Sequence, residues 1–174
     1  MNIMGNLVTL RAIELSDCDL LRALMNDPDT EYLLGGYSFP ISSQQQQKWV
    51  EALPQNTSTL RVMIEVDGKA VGTAILTDID YKNGSAEIHI KLESGDARGK
   101  GYGADTIKSL VKYAFDELRL HCIYARVNAY NTVSQRAFEK CGFEREGIMR
   151  QRIYKQGKYA DVYLFSILNR GSKA

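Results

Sequence analysis

Between Ala104 and Leu118 the apolar residues fall at Ile107, Leu110, Val111, Ala114, Phe115 and Leu118. That three-and-four spacing predicts a helix with one buried stripe. Before it, Leu60 to Val66, Lys69 to Thr77 and Ser85 to Leu92 are strand-like runs separated by Asp67-Gly68 and Asn83-Gly84. Both pairs favour tight turns, so the three runs predict an antiparallel meander. After it, Cys122 to Ala129 sets Ile123, Ala125 and Val127 against Tyr124, Arg126 and Asn128, the period of a strand. Asn131 stands where a helix cap is expected, with Val133, Ala137 and Cys141 on one face and Gly142 as the stop. Arg150 to Lys155 and Lys158 to Leu168 flank Gln156-Gly157 as a closing hairpin.

The N-terminal third is less regular. Leu7 to Ala12 predicts a first strand, and Asp17 to Asn26 a short helix ending near Pro28. Asp29 to Pro40, with Gly35-Gly36, predicts a shaped loop. Ser42 or Ser43 is placed to cap a helix running through Trp49 to about Leu53. No linker or internal repeat divides the 174 residues, so one domain is expected over 1–170, with 171–174 as a tail.

Composition narrows the function classes. Lysine plus arginine (22) nearly balances aspartate plus glutamate (21), and no basic block or interleaved aromatic stripe marks a nucleic-acid face. Apolar runs are short and interrupted by charge, against a membrane span. The N-terminus lacks the basic and apolar regions of a signal peptide. The cysteines, Cys18, Cys122 and Cys141, have no metal-binding spacing, and their odd number favours reduced thiols in a cytoplasmic protein. No metal is expected.

The most chemically specific segment is Arg98-Gly99-Lys100-Gly101-Tyr102-Gly103, between a strand and the long helix. A glycine-rich turn at a helix N-terminus presents unpaired N–H groups beside the positive end of the helix dipole, which suits a phosphate or pyrophosphate. Arg98 and Lys100 add positive charge. The nucleotide-hydrolase loop requires Ser or Thr after the lysine, where this chain has Gly101. The dinucleotide fingerprint requires Gly-x-Gly-x-x-Gly, and here the spacing is Gly-x-Gly-x-Gly. A nucleotide-dependent kinase fails on the same spacing.

Taken with the order of segments, Arg98-x-x-Gly101-x-Gly103 and Asn131-x-x-Ser134-x-x-Ala137-Phe138-Glu139-Lys140-Cys141-Gly142-Phe143 resemble the GCN5-related N-acetyltransferase (GNAT) family. The likeness is to its branch of ribosomal-protein N-terminal and spermidine N-acetyltransferases, over essentially the whole chain. It implies an α/β (α+β) fold: a mixed, mostly antiparallel sheet of about seven strands flanked by about four helices. It also implies that the fourth and fifth strands splay around acetyl-CoA, and dimers are a family expectation. The backbone of Ile88, His89, Ile90, Lys91 and Leu92 would pair with the pantetheine arm. Arg98, Gly99, Lys100, Gly101, Tyr102 and Gly103 would cradle the pyrophosphate, while Asn131 and Ser134 would face the pantetheine or thioester. Asn131 serving only as a helix cap, and Ser134 bonding only within its first turn, are the alternatives.

Acetyl transfer to an amine needs a proton acceptor, because an alkyl amine with a pKa of roughly 10 is mostly protonated at neutral pH. Glu87 is the expected base by its resemblance to an acidic residue of relatives. A solvated strand charge is the alternative. His89 shares its strand face and ranks second. Oxyanion-stabilising N–H groups are expected around Ile90, at a bulge of that strand. Where many relatives carry a tyrosine acid, this chain has Phe138, so Ser134, Tyr130 or a water would have to protonate the leaving thiolate.

Acceptor contacts are expected from Glu31 to Pro40, the second helix and the final hairpin. Glu31, Tyr37 and Tyr159 are the named candidates, with Tyr154, Asp161 and Tyr163 near them. Asp27, Asp29 and Glu31 supply some acid, but Gly35 to Trp49 has no Asp or Glu where the resemblance to spermidine acetyltransferases implies an acidic segment, which tilts the expectation from a polyamine towards a protein N-terminus or a small amine. A polyamine acceptor, and an acyl-CoA-binding module without catalysis, are the two alternatives.

Overall fold

The computed structural model describes residues 1–36, 39–53, 57–95 and 97–171. A short strand β1 (Ile3–Met4) pairs with β2 (Thr9–Arg11). A 3-10 turn leads into α1 (Cys18–Asn26), followed by α2 (Pro28–Leu34) and α3 (Ser43–Glu51). The meander is β3 (Leu60–Val66), β4 (Lys69–Asp80) and β5 (Ser85–Leu92). Next come α4 (Tyr102–Asp116), β6 (Cys122–Asn128), α5 (Thr132–Lys140), β7 (Glu144–Lys155) and β8 (Lys158–Leu168). The strands form one sheet of order β1-β2-β3-β4-β5-β6-β8-β7. Every neighbouring pair is antiparallel except β5 and β6.

Strand alternation sends successive side chains to opposite faces, and the core divides accordingly. On one face Ile107, Leu110, Val111 and Ala114 of α4 pack against Ala86, Ile88, Ile123, Ala125 and Val127. On the other, Leu21 of α1 and Val50 of α3 cover Met63. Leu110 and Ile107 are essentially sealed from water, and burying each such side chain stabilises by about 1.5–3 kcal/mol. Truncating Leu110 to alanine would cost about 2–5 kcal/mol. Among the described residues no helix is long and apolar enough to cross a membrane.

The strand and helix reading holds in outline and shifts in three places. The expected loop over 29–40 begins as a helix: Asp27 accepts the N–H of Thr30, Pro28 takes the first turn, and Gly35 ends it with φ +71. Pro28 therefore starts α2, where a proline needs no N–H donor, as well as ending α1. The last hairpin is longer than expected, because β7 begins at Glu144. The short β1 escapes a periodicity reading altogether, and it brings the strand count to eight.

One buried carboxylate fixes the N-terminal turn to the start of α4. Asp105 accepts the N–H groups of Asn6 (3.2 Å), Leu7 (2.7 Å) and Val8 (3.0 Å). Three backbone donors that the β1–β2 turn would otherwise leave orphaned are thereby satisfied. Gly5 is required beside it, since an added Cβ would lie 2.4 Å from Asp105 Oδ2.

Candidate active site

The parallel pair is where the sheet opens. β5 and β6 are in register over Ser85–Cys122, Ala86–Ile123 and Glu87–Tyr124, and pairing then stops. β5 continues against β4 as far as Leu92, and β6 continues against β8 as far as Asn128. Alternate N–H and C=O groups of Ile88–Leu92 therefore turn away from β4 into the gap. The expected bulge at Ile90 is not there: pairing with β4 is unbroken from Glu87 to Leu92. The irregularity lies on the neighbouring strand between Thr77 and Asp80, where Asp78 has φ +51.

The glycine loop stands at the outer end of β5. Gly101 caps α4 with φ +85, and no side chain caps the helix. The first-turn N–H groups thus keep their donor capacity beside the positive helix end. Gly99, at φ +77, has open space where a Cβ would stand. Both conformations are costly for any residue with a Cβ, so the loop needs glycine for its own path and leaves room over it. Gap and loop together fit a phosphorylated thioester such as acetyl-CoA: unpaired backbone along a strand edge, then uncapped N–H donors with Arg98 and Lys100.

The other face of the opening is polar. Glu87 is 1% exposed and is held by two hydrogen bonds from Arg126, Nε to Oε1 at 2.7 Å and Nη2 to Oε2 at 2.6 Å. Bidentate guanidinium–carboxylate pairs of this kind are both strong and directional. His89 lies beside them, with Nε2 3.1 Å from Thr77 Oγ1 and 3.7 Å from Glu87 Oε2. Its other ring nitrogen has no partner among the described residues. Burial holds His89 below the ordinary histidine value; Glu87 pulls it up, Arg126 and Lys91 push it down, and Asp78 pulls it up. The imidazole is neutral at pH 7 in consequence. Lys91, next on this face, sets its ammonium 3.5 Å from Met25 Sδ, and burial lowers its pKa.

The segment after β6 ties to the C-terminal end of α2. Asn128 Nδ2 donates to the Leu33 carbonyl (2.9 Å), Tyr130 Oη donates to the Tyr32 carbonyl (2.7 Å), and Asn131 Nδ2 reaches the Leu33 carbonyl (3.2 Å). Tyr130 also stacks on Tyr32, with ring centroids 4.7 Å apart. These bonds satisfy carbonyls that the end of α2 leaves open. Asn131 Oδ1 accepts the Ser134 N–H at 3.1 Å, so Asn131 does cap α5, and both ends of its amide work within the protein. The Tyr130 hydroxyl is committed to Tyr32. The Ser134 hydroxyl is half-buried and has no hydrogen bond among the described residues. Phe138 is buried edge-on against Phe143 at 4.9 Å, a core position for which a phenyl ring suffices.

Beside this face a cavity of about 360 Å³ opens between α1, α2 and the final hairpin, lined in part by Met25, Asp27, Glu31, Tyr32, Phe39 and Lys155. Glu31 therefore stands on its wall, ion-paired with Lys155. Tyr159 does not line it: at the hairpin tip its ring packs on Tyr154 at 4.9 Å. Asp161 accepts the Gln151 N–H on the irregular part of β7. Tyr37 lies outside the described residues. No sequence motif marks Arg126 or Lys155 as a site residue. The strand alternation put Arg126 on a face but gave no sign of the register that brings it to Glu87.

An open mixed sheet parted at its parallel pair, with an uncapped glycine loop at the end of the gap, defines an acyl-CoA-dependent transferase. The model of the acetyltransferase (GNAT) domain matches residues 8–144, so the chain belongs to the GNAT family as an acetyl-CoA-dependent N-acetyltransferase. An uncharacterized N-acetyltransferase, p20 of Bacillus licheniformis, is 30% identical over 94% of this chain and 93% of its own length. The crystal structure of spermidine N-acetyltransferase from Vibrio cholerae in complex with CoA and spermine superposes with a TM-score of 0.86. It is 27% identical and covers 94% of this chain and 96% of that one. A putative ribosomal N-acetyltransferase of Bacillus subtilis, YdaF, is 32% identical over 60% of this chain and 56% of its own length. The reading as a binding module without catalysis gives way to this family.

Proposed function

We propose that the chain transfers an acetyl group to a primary amine of a small molecule or a protein N-terminus, with His89 and Glu87 together handling the amine proton. The observation that carries this is the Glu87 arrangement. Both carboxylate oxygens are engaged by Arg126 at the vertex of the gap, while the neutral imidazole of His89 stands beside them with one nitrogen unpartnered among the described residues. His89 accepts the proton from the amine, and the ionised Glu87 stabilises the imidazolium from 3.7 Å. Glu87 is then a positioning and electrostatic residue more than a direct base.

When bound, acetyl-CoA supplies an electrophilic thioester carbonyl and a thiolate leaving group. The backbone of Ile88, His89, Ile90, Lys91 and Leu92 would hold its arm in the manner of an added strand. Arg98 to Gly103 would hold its phosphates through N–H groups and charge. Asn131 shapes the turn at the start of α5, and Ser134, whose hydroxyl has no hydrogen bond among the described residues, would be the donor for the thiolate. Glu31 lines the acceptor side. A polyamine acceptor is the second reading, supported by the likeness to the Vibrio spermidine enzyme. The three free cysteines support a cytoplasmic setting.

The test is acetyl-CoA-dependent thiol release by wild type, His89→Gln and Glu87→Gln, with CoA affinity measured beside it. His89→Gln is expected to lower kcat by about a hundredfold or more while CoA still binds. Undiminished turnover by His89→Gln would return the proton to Glu87 or to a water.

A further inference from the structure

We propose that Lys91 recognises an anionic group on the acceptor, so that the preferred substrate is an amine bearing a carboxylate, not a polyamine. This rests on the amine-transfer reading above and specifies the acceptor within it.

Three observations converge. Lys91 shares the face of β5 that carries Glu87 and His89, two residues beyond His89 and so about 7 Å along the strand. Lys91 is half-buried, and among the described residues its ammonium meets only the thioether of Met25, a residue of the cavity wall. An ammonium has three donors and a thioether is a weak acceptor, so the group is poorly satisfied by the protein itself. Among the described residues no carboxylate lies within ion-pair distance of it, and Glu31 acts on it only from farther away.

The acids on this side are already compensated. Glu87 is held by Arg126 and Glu31 by Lys155. Asp27 accepts from the N–H and hydroxyl of Thr30, and Arg98 acts on it electrostatically. With Asp78, which acts on His89 and Arg126, four carboxylates (Asp27, Glu31, Asp78 and Glu87) face four cations (Lys91, Arg98, Arg126 and Lys155). A polycation entering here meets acids that already have cations beside them, with no surplus of negative charge to draw it in. An acceptor with its amine at His89 and an anion at Lys91 satisfies both ends. The strand spacing sets their separation at about 4–8 Å, as in an ω-amino acid or a peptide N-terminus followed by an acidic side chain.

The test uses matched acceptors with the full chain: 5-aminopentanoate, pentylamine and 1,5-diaminopentane, and three pentapeptides with Glu, Gln or Lys second. Wild type is expected to favour the anionic member of each set over the neutral one by about tenfold or more in kcat/KM, with the cationic member last. In Lys91→Met the anionic-to-neutral ratio should collapse towards one, and in Lys91→Glu the cationic member should lead. Because the readout is a ratio within one variant, a general loss of activity does not move it. A wild-type preference for the diamine, or a ratio unchanged in Lys91→Met, overturns the proposal while the amine-transfer reading stands. A Lys91→Met effect confined to acetyl-CoA affinity also overturns it, by assigning the side chain to the cofactor. If none of the six acceptors is consumed although CoA binds, the small-amine and N-terminus reading falls, and this proposal with it.

Discussion

Arg126→Met should destabilise the protein by removing the partner of a sealed charge. Glu87 is 1% exposed, and its bonds to Arg126 are 2.7 and 2.6 Å long. Removing one member of a fully buried pair costs about 3–5 kcal/mol, because the survivor is left charged and unsolvated. The Arg126 side chain is 50% exposed, so water can follow into the space it leaves. Screening on that side reduces the expected cost to about 1–2 kcal/mol. In a chain of 174 residues that corresponds to a fall in Tm of about 2–8 °C. Glu87→Gln removes the buried charge and leaves Arg126 facing solvent, at a cost of about 0.5–1 kcal/mol. The double variant contains no orphaned charge and should melt above Arg126→Met alone. Thermal and urea unfolding of the four proteins gives the cycle, with an expected coupling of about 1 kcal/mol. Additivity within about 0.5 kcal/mol, or a double variant less stable than Arg126→Met, would refute the view that the pair exists to neutralise a buried carboxylate.

The same variants move activity in opposite directions along the pH axis. A base must be deprotonated, so turnover is lost as pH falls through the pKa of His89, which burial holds below 6.5. Arg126 depresses that value and Glu87 elevates it. The acid limb of kcat at saturating amine should therefore lie below pH 6.5 in wild type, move to higher pH in Arg126→Met, and move lower in Glu87→Gln. Identical limbs in all three would separate His89 from the proton.

Three further outcomes follow from single contacts. Asp105→Ala orphans the N–H groups of Asn6, Leu7 and Val8 and should cost about 2–3 kcal/mol by urea unfolding; a change below about 0.5 kcal/mol would mean that water replaces the carboxylate without penalty. Gly99→Ala should cost about 1–2 kcal/mol for its φ of +77. It should also weaken CoA binding about tenfold in calorimetry, since its methyl would enter the open space over the loop; an unchanged Kd would confine Gly99 to the turn. Asn128→Ala releases a bond to the end of α2 and should raise the acceptor KM more than the Kd for CoA, and equal effects would count against α2 as an acceptor wall.

How legible these features were in the sequence depended on how local their causes are. The α4 stripe, the Asp67-Gly68 and Asn83-Gly84 turns, the Asn131 cap and the Ser42 cap each act over a few residues, and each stands where the pattern put it. Helix α2 is hard to see in the sequence because Pro28 reads equally as an end and as a beginning, and because Gly35-Gly36 reads as the centre of a loop. The parting of β5 from β6 depends on a parallel register that no local pattern encodes. The bulge expected at Ile90 lies instead at Thr77–Asp80, where no sequence cue marks it. The ion pairs of the site join residues 39 and 124 positions apart, so strand alternation could assign Arg126 a face but no partner.

That difference in range bears on what resemblance can transfer. The proposed cofactor side is built from backbone: groups of Ile88–Leu92 turned away from β4, the uncapped start of α4, and glycines whose φ values other residues avoid. Side-chain substitution elsewhere leaves such a site intact, so a relative 27% identical can share it. The proposed acceptor side is built from side chains contributed by α1, α2, β5, β6 and the last hairpin, and its character is set by which charges cancel. Exchanging one member of Glu31–Lys155 or Glu87–Arg126, or altering Lys91, changes the net charge of the face without disturbing the fold. Identity of fold and cofactor therefore constrains the acceptor weakly, and the sign of the field beside His89 constrains it strongly.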